Sequence, residues 1–164
     1  AKQLLLVRHG KSDCGNAGLT DFDRPLNKRG KENAPEMAER LINRGFKFDL
    51  MVSSPAKRAK STAKYFAEAY QIDEIQFEEL IYEANSKTLL KVINGFDDDA
   101  DTIVMFGHNP GFTDLANELS DADIYNIPTA GMVLMNFPFD SWQMVSKGTG
   151  ELVFFDYPKN SDEM

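Results

Sequence analysis

A chain of 164 residues, 42% hydrophobic and 27% charged, has the size and composition of one globular domain with a substantial core. Its 18 Lys and Arg against 26 Asp and Glu leave a formal charge of −8, which argues against a nucleic-acid or acidic-membrane partner, since either needs a basic face. The single cysteine, Cys14, excludes an internal disulfide, and the chain has neither a signal-peptide pattern nor an apolar stretch of about 20 residues, so the expectation is a cytoplasmic protein, monomeric by default.

The first element is the run Leu4-Leu5-Leu6-Val7, an unbroken apolar stretch of the kind found in strands buried on both faces. It leads directly into Arg8-His9-Gly10-Lys11. Gly15, Gly18 and Pro25 make Ser12–Leu26 a loop. Asn27 reads as the N-cap of a helix whose apolar face is Ala34, Met37, Ala38, Leu41 and Ile42, with Gly45 as its C′ stop. Phe48–Val52 reads as a second strand. Ser54 and Pro55 read as the N-cap and first residue of a second helix, with Ala59, Ala63, Phe66, Ala67 and Tyr70 as its buried stripe. A short strand at Glu74–Phe77 and a loop at Leu80–Glu83 follow. Next comes a helix carrying Leu89, Val92, Ile93 and Phe96, with Ser86 as its cap. Thr102–Phe106 is a further buried strand. After it, Gly107-His108-Asn109-Pro110 supplies a turn, a cap residue and a proline ahead of a helix whose apolar face is Phe112, Leu115, Ala116 and Leu119. Met132–Phe137 and Glu151–Asp156 are the last strands, with Gly148 and Gly150 in the turn before the final one. Strands alternating with helices predict an α/β fold: a three-layer α/β/α sandwich around a mostly parallel sheet with a mixed edge. The expected organisation is one domain, 1–164, with a polar tail from about 159.

Three strand ends carry the unusual residues: Arg8 and His9; Ser53-Ser54-Pro55 with Arg58 in the first turn of its helix; and Gly107-His108-Asn109. Parallel strands would bring these ends to one edge of the sheet, where ligands sit in open α/β folds. Guanidinium forks match phosphate oxygens, and helix N-termini add N–H groups and partial positive charge. Histidine is able to take a phosphoryl group covalently, and an adjacent arginine stabilises the charge that develops. No aspartate-rich metal motif accompanies these residues, so the expected site has no metal or cofactor and uses protein cations in place of Mg²⁺.

Together, Arg8-His9-Gly10, Ser53-Ser54-Pro55 with Arg58-Ala59, and Gly107-His108-Asn109 resemble the histidine phosphatase superfamily, the phosphoglycerate-mutase-like group. Asp21-Phe22-Asp23-Arg24-Pro25-Leu26 and Gly30 resemble its SixA-type phosphohistidine phosphatase branch. The resemblance implies a phosphoglycerate-mutase-like fold and a hydrolase. It makes His9 the nucleophile that forms a phosphohistidine intermediate, with Arg8, Arg58 and His108 binding the phosphoryl oxygens. It offers Glu83 as general acid, a role that a phosphohistidine substrate, with its good leaving group, does not demand. The branch implies a phosphohistidine-containing protein as substrate. Mutase-type members cover their substrates with longer insertions, for which this chain has little room. The alternative is a phosphatase or mutase acting on small phosphate monoesters with Glu83 as acid, and a third reading is a non-catalytic phosphate-binding module.

Several residues keep a plainer reading. Glu83 stands equally as an acid catalyst or an exposed carboxylate. Asp23 and Arg24 either order their loop or touch substrate. Lys11 and Ser12 line the rim or are simply exposed. Cys14 reads as an incidental thiol, and Asp97–Asp101 as a solvated turn.

Overall fold

The computed structural model describes residues 1–13 and 18–163; the expectations for Cys14 and Gly15 lie outside the described residues. The strands are β1 (Lys2–Arg8), β2 (Leu50–Ser53), β3 (Gln76–Phe77), β4 (Thr102–Gly107), β5 (Met132–Phe137) and β6 (Glu151–Asp156). The helices are α1 (Lys28–Asn43), α2 (Lys57–Tyr70), α3 (Ser86–Asn94) and α4 (Gly111–Leu119). One sheet holds all six strands in the order β3-β2-β4-β1-β5-β6. The β3, β2, β4 and β1 strands run parallel, while β5 pairs antiparallel with β1 and β6 with β5.

Alternation along β1 explains its unbroken apolar sequence. Leu4 and Leu6 face one core with Ile103, Met105, Val133 and Met135, beneath α3 and α4. Leu5 and Val7 face the other with Val104, Phe106, Met132 and Leu134, beneath α1 and α2. Successive strand residues point to opposite faces, so a strand covered on both sides has no position for a polar residue. All four side chains are fully buried. Burying each contributes about 1.5–3 kcal/mol. This is the three-layer α/β/α arrangement with a mixed edge.

Local chemistry moves several boundaries. The Asn27 side chain accepts from the Gly30 amide at 2.9 Å, as an N-cap should, and Gly45 follows α1 at φ 76°. Ser54 is not the cap of α2: that helix begins at Lys57, with Ala56 before it, and Ser54 has another partner. Asn85, not Ser86, caps α3 by accepting from the Thr88 amide. Strand β2 starts at Leu50, because Asp49 uses its carboxylate to hold the amides of Asp101 and Thr102 and Phe48 packs against Tyr70. The short strand is reduced to Gln76–Phe77, and Glu79–Ile81 forms a 3₁₀ turn where a plain loop was expected. The acidic run Asp97–Asp101 is more than a solvated turn. It holds the buried Lys2 ammonium through the Asp98 carbonyl and the Asp101 carboxylate, and Asp98 accepts from the Trp142 amide. The polar tail begins as a 3₁₀ turn, Pro158–Glu163, and Arg40 donates to the carbonyls of Tyr157 and Pro158. Among the described residues, no helix is long and apolar enough to cross a membrane.

Gly30 sets how closely α1 approaches the end of β1. A Cβ at this position would lie 2.2 Å from the Lys11 carbonyl oxygen and 3.0 Å from its amide nitrogen, both backbone atoms. Gly30→Ala is therefore expected to destabilise the protein by about 1–3 kcal/mol, as overpacking against an unyielding wall does. A urea midpoint equal to wild type would show that the wall yields.

Candidate active site

The C-terminal ends of β1, β2 and β4 lie side by side. The His9 amide donates to the Gly107 carbonyl at 3.1 Å and the Ser54 amide to the Phe106 carbonyl at 3.0 Å. Parallel pairing thus brings the three motifs together, with α2 and α4 starting from the same edge. The His9 and His108 rings stand 5.2 Å apart between centroids. His9, Arg58 and His108 are buried, and Arg8 is half-buried.

His9 is held in one tautomer. Its Nδ1 lies 2.7 Å from the Gly10 carbonyl, which only accepts, so Nδ1 carries the proton and Nε2 keeps its lone pair. Burial lowers the pKa of the ring to about 3, with His108, Arg58 and Arg8 adding like-charge repulsion. The ring is therefore neutral at physiological pH, with the Nε2 lone pair available. Behind it, the Gly10 amide donates to Thr62 Oγ1, which in turn donates to the Arg58 carbonyl.

The cations around His9 are fixed by neutral or anionic partners at their outer ends. Arg8 Nη1 donates to the Ile127 carbonyl at 2.8 Å. Arg58 grips Asp21 twice, Nη1 to its carbonyl at 2.6 Å and Nη2 to its Oδ2 at 3.1 Å. Asp21 also accepts from the Tyr82 hydroxyl at 2.6 Å and from Arg24 Nη2 at 2.9 Å. These bonds, that to Tyr82 foremost, hold its carboxyl well below the usual carboxylate range. Tyr82 is pushed up to about 12 by burial and by its bond to Asp21, and its ring packs edge-on against His108.

Ser54 Oγ accepts from the Ala56 amide and lies 2.8 Å from His108 Nε2. His108 Nδ1 is buried with no hydrogen-bond partner among the described residues. Arg8 Nε and Arg58 Nε are likewise buried without a partner there. Burial, with Arg58 and Arg8 nearby, lowers the pKa of His108 to about 4, and burial with Arg58 lowers that of Arg8. Buried donors and mutually repelling cations around a neutral imidazole are satisfied by a multiply charged anion with several acceptor oxygens. Among the described residues, no group of three or more His, Cys, Asp or Glu side chains is placed to hold a metal ion.

The remaining sequence candidates separate. Glu83 is exposed beside Tyr82, with its backbone in the left-handed region at φ 56°. Asp23 orders its own loop, accepting from Thr20 Oγ1 at 3.0 Å. Arg24 joins that loop to the strand end through Asp21 and Ser12 Oγ. Lys11 is exposed. Sequence reasoning passed over Thr62, Tyr82 and the Ile127 carbonyl, for which no local pattern exists. It saw Asp21 only as part of a motif, without its role as the anchor of Arg58.

The fold and its strand-end site define an α/β protein of the phosphoglycerate-mutase-like class. More narrowly, the chain belongs to the histidine phosphatase superfamily (branch 1), whose family profile matches residues 4–89. It is 29% identical over 153 residues to an uncharacterised chloroplastic protein of Arabidopsis thaliana, covering 87% of this chain and 70% of that one. An Agrobacterium tumefaciens structure, provisionally assigned as the phosphohistidine phosphatase SixA, superposes with a TM-score of 0.79 at 27% identity, covering 96% of this chain and 98% of that one. The protein histidine phosphatase SixA, in complex with tungstate, shares the fold with a TM-score of 0.78 at 19% identity, over 97% of this chain and 99% of that one.

The lowered histidine pKa values fix the sign of a pH effect. In the unfolded chain both rings take up protons near pH 6.5, whereas the folded rings wait until about 4 and 3. Between those limits the unfolded state binds more protons, so the stability they contribute is complete above pH 6.5 and falls as pH drops toward 4. Ring NMR of the free protein is expected to show both histidines neutral down to about pH 5. A ring titrating near its ordinary value would contradict the burial argument.

Proposed function

We propose that this protein is a phosphatase that takes the phosphoryl group from a phosphohistidine-containing protein and holds it transiently as a phosphohistidine on His9. The observation that carries this is the tautomer of His9, whose Nδ1 proton is committed to the Gly10 carbonyl and whose Nε2 lone pair is free for attack. In the first transfer Nε2 bonds to phosphorus in line with the breaking P–N bond, and the electron pair of that bond leaves on the substrate imidazole. When the far nitrogen of that imidazole is protonated, the ring departs neutral and needs no acid from the enzyme. Arg8, Arg58 and His108 bind the transferring oxygens, and the buried donors lacking protein partners suit that task. In the second transfer water attacks phosphorus, the P–Nε2 pair returns to His9, and the water proton leaves on inorganic phosphate.

The protein substrate is supported by the likeness to SixA structures. A second reading, small phosphate monoesters with Glu83 as general acid, is favoured by one observation. Glu83 holds a left-handed backbone conformation next to Tyr82, and such strain gathers at functional positions.

His9→Ala is expected to lower turnover of a phosphohistidine protein at least about a thousandfold and to abolish acid-labile labelling of the enzyme by that substrate. Retained labelling would exclude His9 as nucleophile. Glu83→Gln is expected to change phosphohistidine turnover by less than about threefold. A loss of about a hundredfold or more on an alkyl phosphate, with that ester the better substrate, would instead establish the monoester reading.

A further inference from the structure

A groove opens beside His9 rather than around it. One wall is the outer face of α1, where Arg29, Asn33 and Glu36 recur at helical spacing; the opposite wall is Pro128-Thr129 and Tyr157–Lys159, and Lys11 stands at one end. Its cavity volume is about 350 Å³. Both walls are tied to the strand end that bears the nucleophile. The Ala130 amide, next to Thr129, donates to the His9 carbonyl at 2.9 Å, and the Asn27 amide, just before α1, donates to the Lys11 carbonyl at 2.9 Å. Lys11 lies two residues beyond His9, so their Cα atoms are at most about 7.6 Å apart. A peptide of three or four residues spans that distance.

The charge of the groove opposes that of the chain. In a protein of net charge −8, Lys11, Arg29 and Lys159 converge here from three separate segments. All three are exposed, and among the described residues none of them has an ion pair or a side-chain hydrogen bond. Among the described residues, the one carboxylate in the lining, Glu36, is bound to Arg40 at 2.8 Å and to Asn33 at 3.1 Å, so its charge is answered within the chain. The cations are therefore available to a partner.

The geometry points to this groove as the docking site for an acidic segment of the phosphoprotein substrate, adjoining the histidine that reacts. The inference rests on the protein-phosphohistidine reading above. Carboxylates spaced along an extended segment match cations that three separate chain segments contribute to the groove. Tyr157, Pro128 and Pro158 offer apolar surface to the intervening chain. The groove also gives an acidic enzyme a local attraction for an acidic partner that its overall field repels.

The test uses two phosphohistidine peptides, flanked by glutamates or by alanines, with free phosphohistidine as the minimal substrate. At low ionic strength the glutamate peptide is expected to have a KM roughly tenfold below the alanine peptide. In the double variant Arg29→Glu, Lys159→Glu that advantage disappears, while kcat on both peptides and turnover of free phosphohistidine stay at wild-type values. Both positions are exposed, and glutamate suits the first turn of a helix, so the variant keeps its fold; Arg29→Gln, Lys159→Gln gives the same direction with a smaller effect. Equal KM values for the two peptides in the wild type, or an equal loss on both in the variants, would overturn the proposal. Binding of the unphosphorylated glutamate peptide, followed by fluorescence anisotropy, decides the groove independently of turnover. Binding lost in the variant supports the groove even if no phosphohistidine peptide is hydrolysed, an outcome that overturns only the activity. No binding to the wild type, or displacement by millimolar inorganic phosphate, overturns the groove.

Discussion

The amide and the carbonyl of His9 are held by backbone partners from opposite sides, Gly107 at the end of β4 and Ala130 ahead of β5. The flanking amides are held as well, that of Arg8 by the Gly131 carbonyl and that of Gly10 by the Thr62 hydroxyl. Three consecutive residues are thus fixed where a central strand leaves a sheet whose layers cover both faces. Each functional side chain is placed relative to that point. A displacement of about 1 Å is enough to weaken a group transfer, so the role proposed for His9 fits its place at the end of a fully covered strand.

Confinement also creates the chemistry. Burial keeps His9 and His108 neutral and leaves Nε of Arg8 and of Arg58 without a partner among the described residues, while Asp21 draws the outer end of Arg58 into a fixed orientation. Charge repulsion among Arg8, Arg58 and any protonated histidine would be relieved by an incoming anion, so in the proposed reaction binding and poising for attack share one electrostatic cause. Tyr82 and Arg24 close the same network around Asp21, joining the loop before α1 to the turn before α3. The basic groove extends outward from the same strand end, where the proposed protein substrate would also be held.

Where sequence expectation and structure part, a side chain found a better partner than its neighbours in sequence. Ser54 precedes a proline, which reads as a helix cap, yet its hydroxyl serves His108, 54 residues away. Ser86 yields to Asn85, whose longer side chain accepts from the Thr88 amide. The acidic run 97–101 reads as solvated until β1 brings Lys2 against it. Segment 120–131 has little periodicity, yet Ile124, Ile127 and Ala130 are buried and the Ile127 carbonyl positions Arg8.

The sequence by itself determined the layered α/β fold, the three motif-bearing strand ends and the convergence of Arg8, His9, Arg58 and His108, because hydrophobic period and strand-to-helix order are local properties that parallel topology converts into one edge. Only the tertiary structure decided the tautomer of His9, the anchoring of Arg58 by Asp21 and Tyr82, the service of Thr62 and Ile127, and the exposed place of Glu83. Those depend on hydrogen bonds between residues far apart in the chain and on the depth to which each group is buried. Neither distance nor burial is written in a local pattern of residues.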